Sequence, residues 1–163
     1  MGLITRSAMR SYMECDGKLY EIGEGFTEFT ENKNPREYSR QYINETVERT
    51  DIVGFASSVT YAFDVYENDK VQKTLLDMTC REAIGEDAVV TIVTAFLYKN
   101  TENAKCVEAI RRKYTVCPSK LGNGMDALIC AGTLRAYGDM EYGELNTVTT
   151  EFHLSGVHDE QTV

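Results

Sequence analysis

The chain has 163 residues, 42% of them hydrophobic, which is one domain's worth and enough to bury a core without disulfides or a metal. Its 17 Lys plus Arg against 26 Asp plus Glu give a net charge of -9, which excludes a generic DNA-binding surface, because phosphate contacts need clustered cations. The cysteines (Cys15, Cys80, Cys106, Cys117, Cys130) are odd in number and form no C-x-x-C, so reduced thiols of a cytosolic product are expected rather than a disulfide framework or a zinc site.

Residues 1–17 are polar, carry Arg6 and Arg10, and show no persistent period; they are expected to form an arm that is mobile in the free protein. This opening contains no apolar signal core, and no window is apolar over a bilayer-spanning length, so no membrane association is expected. "MGLITR" departs from a myristoylation signal in placing Arg6 where Ser or Thr is required. From Lys18 the chain turns to β-type runs, "KLYEIGEGF" and "TEFTE", with a bend at Gly23 to Gly25. Next comes "NPREYSRQYINE", a long polar-aromatic segment where a hairpin would need only a tight turn.

"TDIVGFASSVTYAFDVYEND" reads as the clearest strand, with Val53, Phe55, Val59, Tyr61, Phe63 and Val65 on one parity and small or polar residues on the other. A helix is expected over about 69–84, with Asp69 as N-cap, Gln72 completing a capping box, Val71, Leu75, Leu76 and Met78 as the apolar stripe, and Gly85 as the stop. "AVVTIVTAFLYKN" is apolar on both parities, as a strand buried on both faces should be. The segment from Arg111 to Asp139 reads as two strands joined at Gly122 and Gly124, and "NTVTTEFHLSG" as a last strand with Val148, Thr150, Phe152 and Leu154 on one parity. The fold class expected is mainly β: an antiparallel sandwich or barrel with one flanking helix and a long inter-strand loop. The domain limits expected are 1–17 for the arm, 18–155 for the sandwich and 156–163 for a polar tail.

No catalytic or cofactor-binding residue is expected. The histidines, His153 and His158, stand near the C-terminus, their spacing suits neither helix nor strand ligation, and no phosphate-binding loop is present. Arg111, Arg112 and Lys113 form the basic cluster, which reads as an edge-strand guard. The unusual features instead lie where other protein chains could touch.

"DGKLYEIGEGFTEFTENKNPREYSRQYINE" followed by "VGFASSVTYAFDVYENDKV" resembles the major tail tube proteins of tailed bacteriophages and prophages, and "CAGTLRAYGDMEYGELNTVTTEF" is similar to that family's closing hairpin. Glu144 and Leu145 depart from the more apolar pair usual there. The resemblance covers residues 5 to 155 and extends to contractile-tail, phage-like bacteriocin and type VI secretion tubes. It implies a self-assembling structural protein of the virion tail, made in the bacterial host cytoplasm, with six copies to a ring and rings stacked into a tube. DNA would pass through this tube without binding. Tape-measure and tail-terminator or sheath proteins are the implied partners. It further implies inter-subunit contacts by Arg36, Tyr38, Arg40, Tyr42, Ile43, Asn44 and Glu45, with Arg6 and Arg10 from the arm, and a lumen lined by acids, for which Glu28, Glu31 and Asp64 are the candidates. Two other readings stay open: another β-sandwich virion or secretion component, such as a capsid decoration protein or type VI-like tube subunit, and a β-barrel small-molecule binder or enzyme, which would need a closed apolar cavity with convergent polar groups.

Overall fold

The computed structural model describes residues 2–122 and 125–154. The chain forms β1 (Met9–Cys15), β2 (Lys18–Glu21), β3 (Phe26–Asn32), β4 (Pro35–Arg40), β5 (Arg49–Phe55), β6 (Ser58–Asp64), α1 (Lys70–Cys80), β7 (Val89–Asn100), β8 (Cys106–Gly122), β9 (Ile129–Ala136), β10 (Glu141–Asn146) and β11 (Glu151–Leu154), with short 3-10 turns at Arg6–Ala8 and Gly85–Ala88. Nine strands make one antiparallel sheet in the order β2-β1-β7-β8-β9-β6-β3, with β10 and β11 continuing from β8. This sheet curls into a half-barrel with α1 at its flank, as the expected fold class required. The remaining pair, β4 and β5, is a separate two-stranded sheet.

Two apolar clusters hold the sheet. In the larger, Val71 and Leu75 of α1 pack on Met13, Val59, Tyr61, Phe63, Val90, Ile92, Tyr114, Val116 and Leu134. In the smaller, Val93, Ala95, Val107, Ala109 and Leu145 meet Tyr12, Leu19 and Phe152. The alternation of side chains therefore sends Val90 and Ile92 to one cluster and Val93 and Ala95 to the other, the two-sided burial expected of β7. Strand β8 is 17 residues long and belongs to both: Cys106 to Arg111 pairs with β10, and Tyr114 to Gly122 pairs with β9.

The start of α1 follows from its sequence. Asp69 Oδ1 accepts from the Gln72 amide at 3.1 Å. The Gln72 side chain does not reach back as a capping box requires. It is fully buried, accepts from the Tyr66 amide at 2.6 Å and donates to the Glu24 carbonyl at 2.7 Å, tying the helix to the bend before β3. The helix also stops earlier than Gly85. Arg81 is the C-cap, Glu82 takes the left-handed conformation (φ 53°), and the amides of Glu82 and Ala83 return to the carbonyls of Thr79 and Met78, a Schellman closure with glutamate in the glycine position.

Four further expectations need correction. The arm over 1–17 is shorter: β1 occupies Met9 to Cys15 inside the sheet, paired with β7, because Ser11, Met13 and Cys15 point inward and are buried. The run from Thr50 to Asp64 is two strands, since Val53 and Phe55 lie exposed on the separate pair while Val59, Tyr61 and Phe63 are core. The long inter-strand loop is half strand, β4, and only its distal part turns. Residues 147–150 are the turn of the β10–β11 hairpin rather than strand: Asn146 Oδ1 accepts from the amides of Val148 (2.9 Å) and Thr149 (3.1 Å), and Thr150 is forced to φ 56°. Gly122 has φ 113°, as a turn there requires, while Gly124, His158 and the tail 156–163 lie outside the described residues.

Candidate assembly interface

The β4–β5 hairpin stands apart from the half-barrel, entered at Asn34, whose amide side chain donates to the Ala56 carbonyl (3.1 Å) and Ser58 Oγ (3.2 Å) and fastens its base. Ladder partners share a face. Tyr38 opposes Asp51 and Arg40 opposes Arg49, so these four lie on one face, while Glu37 with Ile52 and Ser39 with Thr50 lie on the other. An extra residue, Val53, interrupts the register between these pairs and Arg36–Gly54.

On the first face the Arg40 guanidinium is 4.9 Å from the Tyr38 ring centre and 5.7 Å from that of Tyr42, donates to Tyr42 Oη at 3.1 Å, and is ion-paired with Asp51. Arg49 lies 5.6 Å from the Tyr42 centroid and donates to Glu45 Oε2 at 2.7 Å. Arg36 lies across Gly54, where a β-carbon would come 2.6 Å from Nη2. At the tip the Glu45 amide bonds the Tyr42 carbonyl, which puts Ile43 and Asn44 at the centre of a turn with Ile43 fully exposed. Seven of the residues singled out from sequence thus come together on one projecting element. Arg49 and Asp51 complete it from the opposite strand, brought there by the β4–β5 register.

Arg6 and Arg10 do not join this group. Arg6 donates to the carbonyls of Met9 (2.8 Å) and Phe29 (3.3 Å), and Arg10 pairs with Glu21 at 3.6 Å, both beside a groove of about 810 Å³ between the start of β1 and β3.

The three acids separate as well. Glu28 opposes Ala62, and Asp64 lies two residues along on the same parity, so these two share the face of Thr60, Ala131 and Thr133. Across β3, β6 and β9 this face carries small or polar side chains apart from Ile129, which opposes Asp64; it includes Arg135 opposite Ser58 and belongs to neither apolar cluster. Glu31 opposes Val59 and so lies on the core side, at its rim, where Lys33 reaches it at 2.6 Å and the Tyr114 hydroxyl donates to it at 3.4 Å. Burial, and then the nearby Glu31 carboxylate, pushes the Tyr114 phenol up to about 12.

Among the described residues no group of three or more His, Cys, Asp or Glu is placed to hold a metal ion, and no helix is long and apolar enough to cross a membrane. His153 ladders with Glu144 at the β10–β11 edge.

No described protein family and no curated protein matches the chain. Its structure is similar to a chain in the cryo-EM structure of the anti-feeding prophage (AFP) baseplate, six-fold symmetrised, with a TM-score of 0.50 and 12% identity over 91% of this chain and 99% of that one. At that identity the likeness is one of fold.

Proposed function

We propose that this chain is a structural subunit of a phage-like particle, and within that class a tail-tube subunit that forms stacked six-membered rings. The observation that carries this reading is the division of the molecule into a small-residue wall and a projecting hairpin. A face of Glu28, Thr60, Ala62, Asp64, Ala131 and Thr133 offers an apolar partner little beyond Ile129, and Asp64 and Glu28 set negative charge on it against Arg135. The hairpin does the reverse: two strands alone are marginal in water, yet this pair exposes Tyr38, Tyr42, Ile43, Ile52, Val53 and Phe55. Such an element gains its stability by being covered, and rigid tyrosines with arginine between them are the side chains that anchor protein contacts. The likeness over nearly the full length of a chain from a six-fold baseplate adds support for a particle component. In this role the protein is not an enzyme, DNA slides past the wall unbound, and tape-measure, terminator or sheath proteins meet the tube.

The test is electron microscopy of concentrated protein, as isolated and with residues 36–54 replaced by a short Gly-Ser linker. The intact chain forms six-fold rings and stacks; the shortened chain keeps its thermal transition and forms none. A protein that stays monomeric at every concentration, or decorates a preformed shell without making rings, is not a tube subunit.

A further inference from the structure

The main path of the nine-stranded sheet ends in β2 on one side and β3 on the other, each with a single neighbour, and β11 beside β10 is a third edge. Strand edges with open amides and carbonyls invite other chains, and proteins guard them. On β3 the alternation is fixed by the Gly25 carbonyl, which accepts from Asp64 of β6. After the irregularity between Phe26 and Glu28, the backbone groups of Phe29 and Glu31 face away from β6. The outward Phe29 carbonyl is not left open. Arg6, from the segment leading into β1, spans the gap that the curl of the sheet leaves and donates Nη2 to it at 3.3 Å while Nη1 holds the Met9 carbonyl at 2.8 Å. The guanidinium thus sits where an added strand would lay its backbone.

We propose that Arg6 is a displaceable guard on the β3 edge, and that what displaces it is the β2 edge of a second copy of this chain. The inference rests on the assembly reading above. The second copy is chosen because β2 and β3 end the same sheet path: joining one molecule's β2 to the next one's β3 is a head-to-tail contact that repeats, and closure into a ring leaves neither of these two ends unpaired. Lys18 at one end of β2 and Glu31 on β3 give the joined edge an oppositely charged pair, while Glu21 at the other end of β2 is held by Arg10. With the guard in place each subunit stays single until local concentration or an existing ring supplies a competing strand.

The experiment compares the full chain with Arg6→Ala and Arg6→Lys. Because Arg6 is exposed, all three should share one thermal transition. The onset concentration for assembly, followed by sedimentation velocity, should fall about ten- to a hundredfold in Arg6→Ala, the worth of one charge-assisted hydrogen bond, and less in Arg6→Lys, which keeps a charged donor. In parallel, Lys18→Cys and Glu31→Cys in a Cys80→Ser background report strand addition as intermolecular disulfides, whose yield should rise when Arg6 is also removed. Rings that form with an unchanged onset and unchanged cross-linking overturn the guard and leave the tube reading standing. Failure of both the intact chain and the variants to assemble or cross-link overturns both.

Discussion

Arg111 on β8 and Glu141 on β10 are ladder partners whose side chains meet in two parallel hydrogen bonds, Nε to Oε1 at 3.1 Å and Nη2 to Oε2 at 2.9 Å. The same guanidinium lies 4.9 Å from the centre of the Phe152 ring, so one cation fastens β8, β10 and β11. A two-point contact of this kind fixes geometry as well as charge.

The Glu141 carboxyl is consequently held below the usual glutamate range, first by its hydrogen bonds to Arg111. A carboxyl whose folded pKa is depressed contributes stability above its unfolded value and loses it as pH falls through the folded one. Asp16, lowered by Lys70, acts in the same direction. The melting temperature should therefore decline between about pH 5 and pH 3, and more gently in Glu141→Gln, which has no charge left to lose. Parallel melting curves across that range for the two proteins would show that the pair carries no pH-dependent stability.

Glu82 occupies the left-handed position that closes α1, where glycine has no β-carbon to crowd the following carbonyl. Replacing it with glycine should stabilise the protein by about 1 kcal/mol. Denaturant unfolding should show a higher midpoint with an unchanged slope.

Two buried polar groups predict opposite signs. Gln72 satisfies an amide and a carbonyl, so Gln72→Leu strands both and should cost about 2–4 kcal/mol although leucine is the more hydrophobic residue. Among the described residues Tyr61 Oη is buried with no hydrogen bond of ordinary geometry, and burial, offset only in part by the nearby Thr79 hydroxyl, raises its phenol well above its ordinary range. Tyr61→Phe should leave stability unchanged or improve it by up to about 1 kcal/mol. Thermal melts of the two variants, read side by side, decide both.

The divided acids give a test of the wall. Glu28→Lys and Asp64→Lys should each leave assembly intact and make assembled protein retain DNA in low salt, an effect that fades as salt rises. Glu31→Lys should not, since Glu31 lies on the other face; it should instead lower the melting temperature by exchanging its pair with Lys33 for a repulsion. Equal DNA retention by all three variants would place the wall elsewhere.

What the sequence made legible is what local chemistry decides. Asp69 with Gln72 marks a helix start because an N-cap is a property of four residues, and the double parity of β7 marks burial on both sides. Position 56 shows the opposite case. Val53, Phe55, Val59 and Tyr61 keep one unbroken parity through Ala56 and Ser57, yet the first two stand on a free hairpin and the last two in the core, a difference made by partners distant in sequence. Strand β1 was masked because Ser11 and Tyr12 interrupt its apolar alternation. A local signal for it existed in Asp16–Gly17, both at positive φ (52° and 80°), the pair that turns β1 into β2. The hairpin stood out because aromatics among charges are visible in a string, and the split of Glu31 from Glu28 was legible too, since an odd spacing within one strand puts two side chains on opposite faces.

The length of β8 bears on how the molecule comes apart. Its first half supports β10 and the smaller cluster, and its second half supports β9 and the larger one, so neither cluster has a backbone of its own to fall back on. Local opening at one end frays the template that the other end needs, which couples them into a single cooperative unit. Amide exchange along the strand, at every residue but Pro118, should therefore share one opening free energy, and a pull applied between the two ends should meet one barrier rather than two.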